Sequence, residues 1–403
     1  MKGDNITCRP NHFFSDHVKK ALTNDPPGEW MPAVPKACIP LHSGYPDPAL
    51  VPDKELKEAA ARLLDEERDL PLHYMGSPRT AVLKKQIQER VAIRGIHCRD
   101  DELLVTSGAC QAIDLAARVF LDEQTAAAVE APVYMEALEI FKNYTPHIMS
   151  VPTDQEGLQT ETLAFMLEER KRKGLLLPRL LYTIPAFQNP AGTVMSAKRR
   201  TRLLQLAETY DFLILEDDAY GELGFTDIPP PLKAMDQNGR VLYAGSLSKV
   251  IAPGMRIGWI AGDAAFITAL SWLKKDLGHP FSQAVTAVYL EQTNVEKRLA
   301  VLREAYQSKR DVLLAASARY LPESASWHVP EGGYFVWVKA PGADTSAMLA
   351  RALSHGVSYV PGKYFFLPHE DGAEYLRLSF SYAGKAAIKE GVQKLGRLLE
   401  NGM

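Results

Sequence analysis

Cysteine is scarce, at four in 403 residues. Cys8, Cys38, Cys98 and Cys110 lie far apart and form no Cys-x-x-Cys pair, so neither a disulfide framework nor a structural zinc site is expected. The ten histidines are scattered, and none shows the His-x-x-x-His spacing that sets two ligands on one helix face, so no metal is expected. No apolar run reaches the ~20 residues needed to span a bilayer. Met1-Lys2-Gly3-Asp4-Asn5 lacks the apolar core of a secretory signal, and a cytoplasmic location is the expectation. Neither sign of charge dominates: a formal net charge of −3 gives no reason to expect nucleic acid or an anionic membrane. The Gly-x-x-x-x-Gly-Lys-Ser/Thr of P-loop NTPases is missing, and Gly245-Ser246 is not part of a Gly-x-Ser-x-Gly hydrolase elbow.

What is present is an ordinary globular composition, 46% hydrophobic and 24% charged, on a chain long enough for two domains. From about residue 100 to 262 short aliphatic runs alternate with amphipathic stretches, which predicts an α/β fold with a mostly parallel sheet between helices. A short helix is also predicted for Asn11 to Leu22, amphipathic helices for Asp53 to Glu67, with Asp53 as its cap, and for Thr80 to Ile93, and one long charged helix from about 290 to 318.

The chain is organised around Ser246-Leu247-Ser248-Lys249, which continues through Pro253-Gly254 to Arg256. It lies between the apolar runs Val241-Leu242-Tyr243 and Ile257-Gly258-Trp259-Ile260, both expected to be buried strands. An ammonium in such a loop loses hydration, which lowers its pKa and frees the amine as a nucleophile towards carbonyls. Two hydroxyls, a glycine and an arginine beside it are the parts of a phosphate cradle. An amine able to form a Schiff base next to a phosphate site is what pyridoxal phosphate requires.

This segment resembles the cofactor-lysine loop of the class I/II aminotransferases, the fold type I pyridoxal-phosphate enzymes, and the resemblance runs from about residue 38 to the C-terminus. It implies a large domain with a mostly parallel sheet and a smaller α+β domain. Within the family the chain looks closest to 2-aminoadipate-type aminotransferases and to the aminotransferase-like half of MocR-type regulators. With no helix-turn-helix module ahead of it, the enzyme is the expected reading. The implied boundaries are an N-terminal segment (1–52) joining the small domain and the active-site wall, a cofactor domain (53–290) and a C-terminal domain (291–403).

The resemblance also implies roles. Lys249 is the Schiff-base lysine and moves the substrate proton. Ser246, Ser248 and Arg256 hold the phosphate together with the turn Gly108-Ala109-Cys110, which replaces the family's Gly-Ser-Gln and so lacks two side-chain contacts. Tyr134 stacks on the pyridine ring, or is a core tyrosine. Asn189, in the Asn-Pro-x-Gly turn 189–192, bonds the cofactor's phenolic oxygen and borders the substrate, with Tyr220 close by. Asp217 pairs with the ring nitrogen, an off-by-one assignment to Asp218 being the competing register. Arg377, a charge amid apolar strand residues, binds the substrate carboxylate. Gly44 and Tyr45 form the substrate wall, or a surface turn. Tyr74 reaches the phosphate of the neighbouring subunit in a homodimer with shared sites, or is structural; its turn Tyr-Met-Gly-Ser-Pro-Arg departs from the family's, and Lys84 stands where arginine is usual. The implied reaction is transamination between an α-amino acid and a 2-oxo acid, 2-oxoglutarate being the expected acceptor. Elimination, γ-replacement or cyclisation on the same scaffold is the alternative.

Overall fold

The structure is a computed structural model that describes residues 13–400 except 25, 27, 29–31, 75, 277 and 369. Its strands are β1 (Ile39–Pro40), β2 (Leu103–Thr106), β3 (Ala126–Ala131), β4 (His147–Asp154), β5 (Gly157–Leu158), β6 (Pro178–Thr183), β7 (Leu213–Asp218), β8 (Val241–Ser246), β9 (Gly258–Ala261), β10 (Ser326–Trp327), β11 (Phe335–Lys339), β12 (Val357–Ser358), β13 (Val360–Pro361) and β14 (Tyr375–Ser379). Eight of them form one sheet in the order β2-β9-β8-β7-β6-β3-β4-β5. The strands β8, β7, β6, β3 and β4 are mutually parallel, and β9 runs against both β8 and β2. Buried almost throughout, β7 and β8 show why the central strands are aliphatic runs and not alternating ones.

The helices used below are α1 (Asp16–Ala21), α2 (Asp53–Glu67), α3 (Arg79–Ile93), α4 (Ala109–Phe120), α5 (Met135–Tyr144), α6 (Thr160–Arg172), α7 (Ala197–Tyr210), α8 (Leu232–Met235), α9 (Ala264–Leu273), α10 (Pro280–Gln292), α11 (Val295–Tyr320), α12 (Thr345–Ser354) and α13 (Lys385–Glu400). One face of the sheet packs on α4, α5 and α9 through Ile113, Phe141 and Ile267. The other packs on α6 and α7 through Leu163, Leu167, Leu203 and Leu206. The apolar stripes of these helices thus bury both sides of the sheet. A second sheet, β10-β11-β14-β13, is antiparallel, and α11 packs on α13 beside it. The parallel pair β1–β12 ties the N-terminal segment to the C-terminal region.

Two expected elements differ. The helix expected at Asn11 to Leu22 is α1, capped by Ser15; Asn11 and His12 lie outside the described residues. Asp53 is the first residue of α2 rather than its cap, which is Pro52. The long helix expected from about 290 to 318 is α11, which starts at Val295 because Asn294 accepts the Lys297 N–H and caps it, after α10 ends at Gln292. Among the described residues no helix is long and apolar enough to cross a membrane, and no cluster of three or more His, Cys, Asp or Glu could hold a metal ion.

Candidate active site

Parallel strands end at one edge of the large sheet, and the candidate residues lie there. Tyr134 follows β3, Asn189 follows β6, Asp217 closes β7 and Lys249 follows β8; β2, antiparallel to β9 as β8 is, delivers Gly108 to the same edge. This is where open α/β sheets bind ligands.

The Lys249 loop is fixed by its own hydroxyls. Ser248 N–H donates to Ser246 Oγ at 3.0 Å, Ser246 Oγ donates to Ser248 Oγ at 2.9 Å, and Tyr334 Oη donates to the Lys249 carbonyl at 3.1 Å. Lys249 Nζ donates to the Gly44 carbonyl at 2.9 Å and lies 5.8 Å from the centroid of the Tyr220 ring and 5.9 Å from that of Tyr334. Burial lowers this amine to about 8, against the opposing fields of Cys110, Glu136 and Asp217. The Gly44 carbonyl is held by its neighbours: Asp47 pairs with the buried Lys309, and Ser381 Oγ donates to the Tyr45 carbonyl at 2.7 Å. A Cβ on Gly44 would lie 3.3 Å from the Phe335 ring. The Tyr45 ring itself is 62% exposed and packs edge-on against Tyr382, so the segment meets Lys249 through backbone alone.

The two adjacent aspartates are separated by their partners. Asp218 pairs with Arg94 and accepts the Tyr243 hydroxyl at 2.8 Å. Asp217 accepts the Tyr182 hydroxyl on Oδ2 at 2.8 Å, while its buried Oδ1 has no partner. Burial raises Asp217 to about 6, the Tyr182 hydrogen bond opposing it. Tyr220 is buried and packs edge-on against Tyr334 and Phe335.

Arg377, on β14, is 3% exposed and crosses to the large sheet. Its Nη1 donates to Asn189 Oδ1 at 2.9 Å and its Nη2 to the His42 carbonyl at 2.9 Å, leaving Nε buried without a partner. The guanidinium lies 4.1 Å from the Phe335 ring centroid, and burial lowers its pKa to about 10. The Asn189 turn is anchored by Gln188, whose Nε2 donates to Glu130 Oε2 at 3.1 Å and to the Pro132 carbonyl at 2.7 Å. Asn189–Pro190 is cis.

At the start of α4, Gly108 has φ +90°, and a Cβ there would come within 2.7 Å of Arg256 Nη2. That nitrogen donates to the Ser107 carbonyl at 2.7 Å. The free first-turn N–H groups of α4, including those of Ala109 and Cys110, thus lie beside a guanidinium, an arrangement suited to a phosphate. Tyr134 Oη donates to Glu136 Oε2 at 2.5 Å, with Cys110 Sγ 3.9 Å from the same hydroxyl. Tyr74 is 89% exposed and is not brought to this site within the chain; Met75 of its turn lies outside the described residues.

Sequence reasoning missed Tyr182, Glu130, Glu136 and Phe335. Tyr182 and Glu130 stand in strands already assigned to the site edge, and Glu136 is two residues beyond Tyr134, so position was the available signal. The orphaned Asp217 Oδ1 and Arg377 Nε, together with a half-buried amine and a glycine-lined anion cradle, fit pyridoxal phosphate and a carboxylate substrate.

Residues 36–395 match the family described as aminotransferase class I and II. The chain is 39% identical over 371 residues to aromatic-amino-acid aminotransferase 1 of Thermococcus litoralis, across 91% of this chain and 88% of that protein. It is 35% identical over 364 residues to the 2-aminoadipate transaminase of Thermus thermophilus, across 89% of each. The solved kynurenine aminotransferase of Pyrococcus horikoshii, in complex with PMP, superposes with a TM-score of 0.87 at 35% identity, covering 97% of this chain and 98% of that one. The fold is that of the type I pyridoxal-phosphate transferases, and the chain belongs to the aminotransferase class I and II family.

Proposed function

We propose that this chain works as a cytoplasmic homodimer that transfers an amino group from an α-amino acid to a 2-oxo acid, with pyridoxal 5′-phosphate as cofactor. The observation that carries the reading is the meeting of a half-buried lysine amine with a buried carboxylate and a buried guanidinium, each of the latter two with an unpaired atom. When bound, pyridoxal phosphate supplies an aldehyde for amines and a ring that accepts electrons from the substrate Cα.

Lys249 would hold the cofactor through Nζ and, when free, would serve as the base for the substrate Cα proton; burial lowers its pKa to about 8, which leaves part of the amine neutral at physiological pH. Asp217 Oδ1 would answer the ring nitrogen, with Tyr182 keeping that carboxylate oriented. Asn189 and Tyr220 would hold the phenolic oxygen and Tyr134 the ring plane. Arg256, Ser246, Ser248 and the N-terminus of α4 would bind the phosphate. Arg377 binds the substrate carboxylate, with its guanidinium held by Asn189 and His42, while Gly44 and Tyr45 close the substrate side. Tyr74, exposed in the single chain, serves the phosphate of the partner's site.

The domain division at 52/53 and 290/291 belongs to the same reading. In its support, the eight-stranded sheet falls within 53–290 and the four-stranded sheet within 291–403. The test is a half-reaction: holoenzyme mixed with a single amino acid should release the matching 2-oxo acid and leave the cofactor as pyridoxamine phosphate. Product release with pyridoxal retained would instead mean elimination or replacement.

A further inference from the structure

Glu130 is buried near the end of β3, and among the described residues its carboxylate is answered by neutral donors alone. Oε1 accepts the Thr183 hydroxyl at 2.5 Å, and Oε2 accepts the Ile184 N–H at 3.2 Å and Gln188 Nε2 at 3.1 Å. A buried carboxylate is costly unless its oxygens are hydrogen-bonded, so these donors hold the end of β6 and the turn after it against β3.

Gln188 carries the hold onward. Its Nε2 also donates to the Pro132 carbonyl at 2.7 Å, and with two acceptors on that side the amide can face only one way. Oε1 is thereby turned to the Ala191 N–H, which donates to it at 2.7 Å. The Gly192 N–H donates to the Gln188 carbonyl at 2.7 Å, and the Gln188 N–H to the Thr193 carbonyl at 3.0 Å. These bonds enclose Asn189, whose Oδ1 accepts from Arg377 Nη1. Glu130, Gln188, Asn189 and Arg377 thus form one continuous chain of contacts, and all four are buried. A guanidinium fork that grips a carboxylate must be aimed, because the paired bonds hold only in one plane.

We propose that Glu130 is a positioning residue for the substrate carboxylate: by fixing the Gln188 amide it sets the Asn189 turn, and that turn aims Arg377. The inference rests on the carboxylate role given to Arg377 above.

The probes are 2-methylalanine, α-methylphenylalanine and α-methylglutamate. They carry no hydrogen on Cα, so spectral titration of the holoenzyme reads their binding apart from proton removal. Glu130→Leu and Gln188→Leu should each weaken every probe that the wild type binds by about tenfold, an effect of the size found within one hydrogen-bond network. Glu130→Gln still offers Gln188 an acceptor and turns its own N–H groups to the Thr183 hydroxyl, so it should stay within about threefold of wild type. On an Arg377→Ala background, Glu130→Leu should add less than about twofold, since no guanidinium is left to aim. Full additivity with Arg377→Ala overturns the proposal. So does a loss in Glu130→Leu that Gln188→Leu does not reproduce, or a Glu130→Gln as weak as Glu130→Leu, which would make charge and not the turn the cause. Should Glu130→Leu fail to fold, Gln188→Leu with and without Arg377→Ala decides by the same additivity. A wild type whose cofactor spectrum responds to no amino acid would instead sink the transaminase reading itself.

Discussion

Arg377 and Asn189 are joined across the two sheets by a 2.9 Å hydrogen bond from Nη1 to Oδ1. One residue lies on β14 of the small sheet and the other on the turn after β6, so the bond sets the small domain's guanidinium against the end of the large sheet. With Nη2 on the His42 carbonyl, the fork is oriented before any substrate arrives, and Nε remains to be answered. Preorganisation of this kind reduces the ordering cost of binding.

Arg377→Ala should therefore weaken every α-amino acid by a similar factor, whatever its side chain. Loss of a charge-assisted bidentate pair costs on the order of 2–3 kcal/mol. Spectral titration of the holoenzyme with several amino acids measures it. Unchanged apparent affinities would remove Arg377 from the carboxylate site.

Asp217→Asn and Asp218→Asn should separate chemistry from stability. The first should keep the cofactor bound and slow proton removal from Cα. The second leaves the Arg94 guanidinium without its anion, a change that costs on the order of 3 kcal/mol for a buried pair, and should lower Tm with a smaller effect on the single-turnover rate. A larger rate effect from Asp218→Asn would reverse the assignment.

The Asp217 pKa carries a sign of its own. It is raised by burial from 3.8 in the reference state to about 6 in the folded, cofactor-free chain. Between these values the folded state binds more protons than the unfolded one, so stability falls as pH rises through this window. Asp217→Asn removes that penalty and should stabilise the cofactor-free protein by about 1–3 kcal/mol at pH 7, with the gain vanishing below about pH 4. Urea unfolding of both proteins across this range checks it; a gain independent of pH would contradict it.

How far the site could be read from the chain depends on whether each residue's role is local. Lys249, the Asn189 turn and Arg377 stand out because a polar group interrupts an aliphatic run, and the cost of that interruption is visible in a short window. The difference between Asp217 and Asp218 is not local: it lies in their partners, Tyr182 on β6 for the one and Arg94 at α3's C-cap for the other. Glu130 and Glu136 act through contacts that only the folded sheet edge creates. The start of α11 rests on one asparagine cap inside a charged stretch, a signal weaker than the helical pattern around it.

Tyr74 supplies the test of the shared site. Tyr74→Ala and Lys249→Ala chains, each nearly inactive alone, should recover activity when reassorted. Mixed dimers carry one site with both lesions and one with neither, so about a quarter of all sites should be intact after random exchange in a closed two-subunit assembly. Exchange proved by a tag pull-down, with activity still at the parental level, would mean that Tyr74 does not serve the neighbouring site.

The central claim is that Lys249 is the amine that holds the cofactor, and borohydride reduction of the holoenzyme tests it most directly. Reduction fixes the cofactor to its lysine, and peptide mass analysis then identifies the modified residue. The pyridoxyl mass should fall on the peptide containing Lys249 and disappear in Lys249→Ala, which should still bind the cofactor without covalent attachment. A pyridoxyl mass on any other lysine, or one that persists in Lys249→Ala, would contradict the account.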